Sequence, residues 1–217
     1  ESSAINKAVF KKLKEDKETE LIIIPGDLSK DGEYESHKSL IKELNDLKES
    51  GKKIFVLTAG HDFNEHGRSY KNDEFVPVKG TEFKELYNLY YEFGYKDSIS
   101  VHEETLSYIA EIAENTRVLA LNCDSKRECK GLIDESLLNW SKEQLDNARK
   151  VGARVIAMCH YPVIPSVPVF DLVGDAHVKN WREIASFLAD NGVELVLTGH
   201  MHIQSINEFV SEKGNKL

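Results

Sequence analysis

The stretch LIIIPGDLSKD, residues Leu21–Asp31, has the pattern that is most informative about the fold of the chain. Apolar residues, mostly β-branched, run into Pro25 and Gly26 and then into an acidic residue, Asp27. This pattern is typical of a buried strand that ends by presenting a carboxylate at the edge of a sheet. Asp27 is therefore the first candidate for chemistry, although an aspartate at such a position also caps helices and begins turns.

Short apolar strands alternate with amphipathic helices along most of the chain. The apolar periodicity predicts helices over residues 4–14, 33–50, 81–93, 136–150 and 180–190. It predicts strands over residues 21–25, 54–58, 106–112, 117–122, 155–158, 193–198 and 203–210, with a hairpin around Glu114 and Asn115. The polar stretch 62–80 is predicted to be a long loop beside a binding site. The alternation predicts an α/β fold with parallel strands and functional groups at the strand ends.

Composition limits the classes of function. The chain has 217 residues, of which 41% are hydrophobic, so it can bury a full core, and we expect one domain spanning residues 1–217. The formal net charge of -9 argues against a broad nucleic-acid surface. It does not exclude a small phosphate ester, because a metal ion reverses the sign of the local field. No run of 18 apolar residues occurs, so no membrane span is predicted.

The cysteines and the chain ends say little about location. Cys123, Cys129 and Cys159 are odd in number and lack zinc-type spacing, which argues against a disulfide framework. A single Cys123–Cys129 bridge stays open and would imply an oxidising compartment. The chain begins at Glu1 in a predicted helix and ends at Leu217 soon after a predicted strand, so we expect both ends to be truncated. Cytoplasmic and secreted or envelope locations both stay open, as does the oligomeric state.

Acidic or histidine residues follow each of four predicted strands. They stand in Gly26-Asp27, in His61-Asp62, in Cys159-His160, and in Gly199-His200-Met201-His202. Because parallel strands place their carboxyl ends at one edge of a sheet, we expect these side chains to converge. Carboxylates and imidazoles together are typical of a metal site.

Each of these residues also has a structural interpretation. A single histidine after a buried strand is often a hydrogen-bonded core group, and Asp62 is able to cap the following loop. In an extended chain His200 and His202 point the same way, so they are placed to bind two adjacent ions or one ion from one side. The pattern repeated at four strand ends favours the functional interpretation.

The order of these motifs resembles the calcineurin-like metallophosphoesterase superfamily. The order is Gly-Asp, then His-Asp after a short strand, then a distant His, then Gly-His-x-His, and the match runs from Leu21 to about Val210. Its most specific parts are P-G-D-L-S-K-D-G-E and G-H-M-H. The resemblance implies a four-layer αββα sandwich, in which helices flank two mixed β-sheets.

The resemblance also implies a site for two divalent metal ions, such as manganese, iron or zinc. Asp27 would bridge the two ions, His160 and His200 would bind one ion, and His202 would bind the other. His61 would supply a proton or a positive charge to the phosphate, which makes it a catalytic and substrate-binding residue.

Two departures from the family pattern stand out. The family begins with Asp-x-His after its first strand, and nothing ahead of Asp27 matches, which we attribute to truncation. The letters of Asp175–His177 fit that motif but lie late in the chain, and we interpret them as a coincidence. The family usually has an asparagine ligand where this chain has Gly60. The ion would keep Asp27, His160 and His200; weaker binding, an altered metal preference and a degenerate site all stay open.

The implied activity is metal-dependent hydrolysis of a phosphoric ester, either a phosphomonoester or a phosphodiester. Two ions about 3.5–4 Å apart hold a bridging hydroxide as nucleophile and neutralise the phosphate oxygens. We expect a small phosphoester substrate, with selectivity shaped by the loops 62–80 and 161–177. Arg68 is a candidate phosphate contact, although a loop arginine is often simply solvated.

Two alternatives stay open at this point. One is a catalytically weakened or inactive scaffold of the same family that binds a partner or a nucleotide, and Gly60 is the feature that supports it. The other is a single-metal hydrolase with a different sheet topology.

Overall fold

The computed structural model describes residues 2–125 and 130–217. The helices within these ranges are α1 (Ser2–Glu15), α2 (Tyr34–Glu49), α3 (Phe83–Leu89), α4 (Glu135–Lys150) and α5 (Trp181–Asp190). The strands are β1 (Leu21–Pro25), β2 (Lys53–Leu57), β3 (Asn64–Lys71), β4 (Glu74–Thr81), β5 (Ser98–His102), β6 (Ser107–Ala113), β7 (Thr116–Leu121), β8 (Arg154–Cys159) and β9 (Val193–Thr198).

Within the described ranges the strands form three separate groups. Strands β1 and β2 pair in parallel. Strands β5 to β9 form a five-stranded mixed sheet in sequence order, antiparallel from β5 to β7 and parallel from β7 to β9. Strands β3 and β4 form an antiparallel hairpin outside both sheets. The carboxyl ends of β7, β8 and β9 therefore lie at one edge of the larger sheet.

Alternating residues of β7 divide the core into two parts. Val118 and Ala120 pack with β2 and α2, whereas Leu119 and Leu121 pack with α4 and α5. Successive side chains of a strand point to opposite faces, so one apolar strand serves both parts. The layers are α1 and α2, then the β1–β2 pair, then the five-stranded sheet, then α4 and α5. This confirms the predicted αββα sandwich and excludes a hydrolase with a different sheet topology.

Helix α4 illustrates how local sequence sets the element ends. The carboxylate of Asp134 accepts a hydrogen bond from the Leu137 N–H at 3.0 Å, which caps the first turn. Arg149 and Lys150 lie in the last turn, where positive charge favours the helix dipole. The prediction of a helix over residues 136–150 is confirmed to within one residue.

Two predicted segments are wrong. Residues 62–80 are not a loop, because β3 and β4 form a hairpin there. Its two-residue turn is Asn72-Asp73, with φ of 51° and 64°, the left-handed conformation that matches the twist of the flanking strands. Residues 203–209 form no strand; beyond β9 there is only an isolated bridge between Val210 and Lys216.

The remaining differences are smaller. The helix predicted over residues 81–93 is α3 followed by a 3₁₀ turn, Tyr91–Phe93. Strand β5 is an addition that the sequence pattern did not predict. Cys129, and with it the possible Cys123–Cys129 bridge, lies outside the described residues, while Cys123 and Cys159 are buried free thiols. Among the described residues, no helix combines the length and apolar character needed to cross a membrane.

Candidate metal centre

The ends of β1, β2 and β8 meet at Gly26. Its φ is 96°, a left-handed conformation that favours glycine. A Cβ built on Gly26 would lie 2.8 Å from the Ala59 Cβ and 2.9 Å from the His160 Nδ1. No side chain fits in that space, so glycine lets the two sheets approach closely enough to bring residues from different strands together.

Asp27 follows directly and is held in a strained conformation. Its φ is 55°, which is uncommon for a residue other than glycine. The carboxylate Oδ2 lies 3.0 Å from the His160 Nε2. Its Oδ1 is buried and has no hydrogen-bond partner among the described residues. Burial acts to raise the pKa of Asp27. The hydrogen bond and charge of His160, together with the charge and backbone N–H of His61, outweigh burial, and the pKa is lowered.

His160 is oriented by the strand beside it. The side chain is 4% exposed, and its Nδ1–H donates to the Pro25 carbonyl at 2.9 Å. Because Nδ1 is engaged in this hydrogen bond, Nε2 is the ring nitrogen that faces Asp27. Burial acts to lower the pKa of His160, but the hydrogen bond and negative charge of Asp27 prevail, and the pKa is raised.

His200 is fixed by a comparable contact. Its Nε2–H donates to the Asp175 carbonyl at 2.6 Å, which leaves Nδ1 as the nitrogen with a free lone pair. The ring stacks on Tyr161, with centroids 4.0 Å apart and an interplanar angle of 26°. Burial lowers the pKa of His200, and the charge of His160 acts in the same direction. A neutral imidazole is the form that binds a metal ion.

Asp27, His160 and His200 form a cluster that fits a divalent metal ion. Each offers one ligand atom, and these atoms all lie within 4.8 Å of one another. Two imidazoles and a carboxylate are a donor set that suits zinc, manganese or iron. The carbonyl groups of Pro25 and Asp175 hold the two histidine rings, and outer partners of this kind are common around histidines that bind metal ions. The unpartnered Asp27 Oδ1 is a further sign that a cation belongs here.

The turn Gly60–Asp62 closes one side of the cluster. Asp62 is fully buried, and its carboxylate accepts the N–H groups of Ser29 and Ala59, each at 2.8 Å. It therefore joins the loop after β1 to the end of β2, and its role here is structural. Burial raises the pKa of Asp62 to about 7, against the influence of these donors.

His61 is exposed on the same turn. Its Nδ1–H donates to the Lys30 carbonyl at 2.6 Å, which holds the ring next to the loop that carries Asp27. Nε2 is then the ring nitrogen with which His61 can meet a substrate.

The other candidates lie outside the cluster of three. His202 is exposed, with φ of 53°, and together with φ of 67° at His200 this turns the chain away from the extended course that we expected. Arg68 lies on β3, and its Nε–H donates to the Asp31 carboxylate at 2.8 Å. Of the segment Asp175–His177, only the backbone carbonyl of Asp175 contacts a cluster residue, His200.

Asp124 is the site residue that sequence reasoning missed. It is 4% exposed and follows β7, the parallel neighbour of β8. Its Oδ2 accepts the Gly60 N–H at 2.9 Å, and its Oδ1 is buried without a partner among the described residues. Burial raises the pKa of Asp124, against the Gly60 N–H and the positive charges of Lys130 and His160, and the charge of Asp27 adds to the rise. The signal in the sequence was the apolar run Leu119–Leu121 followed by Asn-Cys-Asp, another strand that ends in an acid.

Comparisons with known proteins agree with the fold of the chain. The model of a family described as calcineurin-like phosphoesterase matches residues 2–204. Among solved structures, the fold is similar to that of a dimetal phosphatase from Danio rerio, with a TM-score of 0.64 and 13% sequence identity. That similarity covers 95% of this chain and 73% of the other. No curated protein matches the chain in sequence.

Proposed function

Because the chain belongs to the calcineurin-like phosphoesterase family, we propose that it hydrolyses a phosphomonoester or phosphodiester with the help of two divalent metal ions. A small phosphoester is the substrate class that suits this proposal. The observation that carries it is the cluster of Asp27, His160 and His200, in which a buried carboxylate oxygen has no partner among the described residues. A cation would stabilise that oxygen, which is otherwise unfavourable to bury.

The cluster residues are positioned to hold an ion without rearranging their outer partners. The Pro25 carbonyl holds His160 by Nδ1, and the Asp175 carbonyl holds His200 by Nε2, so each ring presents its other nitrogen. Asp27 has one oxygen beside His160 and one that is unpartnered within the described part of the chain, which suits a carboxylate that bridges two ions. Bound divalent ions supply Lewis-acid stabilisation of the phosphate oxygens and make water nucleophilic at neutral pH.

His61 is our candidate for the proton donor. The Lys30 carbonyl fixes the ring through Nδ1, and Nε2 then donates a proton or a hydrogen bond to the leaving-group or phosphate oxygen. We expect His61→Ala to lower kcat about 100-fold or more while the bound metal is unchanged. A loss of metal in parallel with activity would instead make His61 a structural residue.

His202 and Arg68 complete the proposal. His202 is assigned to the other ion. Arg68 is assigned to the substrate phosphate, for which its guanidinium would exchange the Asp31 carboxylate for a phosphate oxygen. Arg68→Ala should therefore raise KM more than it lowers kcat.

The test uses the full-length protein loaded with manganese, zinc or iron. Its substrates are p-nitrophenyl phosphate, a monoester, and bis(p-nitrophenyl) phosphate, a diester. We expect cleavage of at least one ester by the wild type and by His66→Ala, which removes an exposed histidine from β3. His200→Ala should lose this activity. If the wild type cleaves neither ester faster than His200→Ala does, the proposed activity is wrong.

The scaffold alternative rests on Gly60, which stands where the family usually has a metal-binding asparagine. Metal content distinguishes the two functions, because two ions per full-length chain favour an enzyme and none favours a scaffold. The surroundings of Gly60 bear directly on this choice.

A further inference from the structure

The backbone does not require glycine at position 60. Its φ is not in the left-handed region, in contrast to Gly26 and Gly32. What excludes a side chain is space, because a Cβ built on Gly60 would lie 2.2 Å from the Asp124 Oδ2 and 2.8 Å from its Cγ. The carboxylate of Asp124 thus occupies the place that a side chain at position 60 would take.

Only one of the two oxygens of the Asp124 carboxylate accepts a hydrogen bond within the described residues. Its Oδ2 accepts the Gly60 N–H, but its buried Oδ1 has no partner among the described residues. An anionic oxygen buried in this way is unfavourable unless it is paired with a donor or a cation. The charges of Lys130, His160 and Asp27 all act on Asp124, so Lys130 offsets part of this cost, while His160 and Asp27 are residues of the cluster. The Oδ1 atom of Asp27 likewise lacks a hydrogen-bond partner in the described ranges.

We propose that Asp124 replaces the missing asparagine and is a ligand of the metal ion held by Asp27, His160 and His200. This inference rests on the proposed function of the site. The ligand comes from the end of β7 instead of the end of β2, and it fills the same space because Gly60 leaves that space free. The loss of an amide at position 60 is thereby compensated within the chain, and the site is not degenerate.

The exchange has consequences for the chemistry of the site. Two carboxylates and two imidazoles form a more negative donor set than one carboxylate, one amide and two imidazoles. Hard cations such as manganese are favoured by added carboxylate ligands. Asp124 is not in the group whose ligand atoms lie within 4.8 Å of one another, so its carboxylate would have to move toward a bound ion to act as a ligand.

Metal titration of the full-length protein tests this assignment. Chelator-treated protein is titrated with Mn²⁺ in a calorimeter, for the wild type, Asp124→Ala, His200→Ala and Asp134→Ala. Asp134 is the matched control, because its carboxylate also accepts a backbone N–H, that of Leu137, but caps α4. We expect Asp124→Ala to weaken one Mn²⁺ site by at least about tenfold, and Asp134→Ala to leave Mn²⁺ affinity unchanged.

The outcomes separate this inference from the proposed function. If His200→Ala loses Mn²⁺ and Asp124→Ala does not, the ligand assignment is overturned and the metal-dependent function stands. If the wild type binds neither Mn²⁺ nor, in the same titration, Zn²⁺ or Fe²⁺, both proposals are overturned.

A double variant distinguishes a ligand from a structural anchor. Gly60→Asn in the Asp124→Ala background supplies an amide oxygen in the vacated space, and we expect it to recover Mn²⁺ affinity to within about tenfold of the wild type. Gly60→Asn alone should bind Mn²⁺ poorly, because its side chain clashes with Asp124. The double variant also refills the space that Asp124→Ala leaves empty, so it keeps the test decisive if the single variant folds poorly. A folded double variant that binds no better than Asp124→Ala would overturn the proposal.

Discussion

Replacing Gly26 by alanine tests whether the close approach of β1 and β8 builds the site. The added Cβ would lie 2.8 Å from the Ala59 Cβ, 2.9 Å from the His160 Nδ1 and 3.1 Å from the His160 Cβ. All three distances are shorter than ordinary van der Waals contacts between these atoms. The alanine would also have to adopt φ of 96°, which L-residues disfavour.

Two terms set the expected loss of stability. The left-handed backbone costs about 1–2 kcal/mol for a residue other than glycine. Crowding of a packed region by one methyl group costs a further ~1–3 kcal/mol. The sum, about 2–5 kcal/mol, is a large part of the ~5–15 kcal/mol by which a typical domain is stable.

Gly51→Ala is the matched control. Gly51 has φ of 94°, almost the same as Gly26, but none of the described atoms lies within 4 Å of a Cβ built on it. It should lose only the backbone term, about 1–2 kcal/mol. Urea unfolding of both variants in the presence of a chelator gives the difference, because bound metal would add its own stabilisation.

We expect Gly26→Ala to be less stable than Gly51→Ala by about 1–3 kcal/mol. It should also bind Mn²⁺ more weakly, since the new methyl group displaces His160 from the Pro25 carbonyl. Equal losses of stability in the two variants, with unchanged Mn²⁺ affinity, would refute the argument that strand-end crowding positions the metal ligands.

Two further predictions concern regions outside the site. Tyr108→Phe should lower the free energy of unfolding by about 1 kcal/mol, because the buried Tyr108 hydroxyl donates to the Val56 carbonyl at 2.8 Å and links the two sheets. Urea unfolding measures this loss. An unchanged urea midpoint would contradict the prediction. The pKa of Asp190 is lowered to about 2 by its hydrogen bonds to Ser211, Asn215 and Lys213. A lowered carboxyl pKa contributes stability above about pH 4 that is lost as the pH falls toward 2. The wild type should therefore be more stable than Asp190→Asn above about pH 4, and this difference in stability should shrink as the pH falls toward 2. A difference that stays constant in acid unfolding would contradict this prediction.

The strand-end residues account for most of what could be predicted from the sequence. The apolar runs before Asp27, His160 and His200 predict the strands β1, β8 and β9, and the parallel neighbours β8 and β9 share one edge of the larger sheet. For this reason the layer architecture, and the family that the motifs resemble, are confirmed. The convergence of His160 and His200 follows from the parallel pairing of β8 and β9. Asp27 follows β1 in the other sheet, and it joins them because the two sheets pack closely at Gly26.

Other features depended on signals too weak to recognise in advance. The β3–β4 hairpin is set by left-handed backbone at Asn72 and Asp73 and by the cross-strand contact of Tyr70 with Phe75. Most residues of β3 are polar, so the alternation of apolar and polar residues that predicts a strand is absent from its sequence. The reverse error occurred after β9, where apolar residues around Ile203 suggested a strand. Left-handed backbone at His202 contributes to the turn there, and backbone conformation of this kind is not visible in the pattern.

Asp124 shows a different limit. The strand-end rule that identified Asp27 applies equally to the end of β7, but no family motif drew attention to that position. Only the spatial relation of Asp124 to Gly60 reveals that one residue fills the place of another. Sequence reasoning identified the gap at Gly60, and the structure identified the side chain that fills it.

The most direct test of the metal centre is a crystal of the full-length protein grown with Zn²⁺, with diffraction data collected on both sides of the zinc absorption edge. We expect an anomalous peak about 2.0–2.2 Å from the Asp27 carboxylate, the His160 Nε2 and the His200 Nδ1, with the Asp124 carboxylate drawn toward it. If zinc were bound elsewhere in the protein and absent between these residues, the cluster of Asp27, His160 and His200 would not be the metal centre.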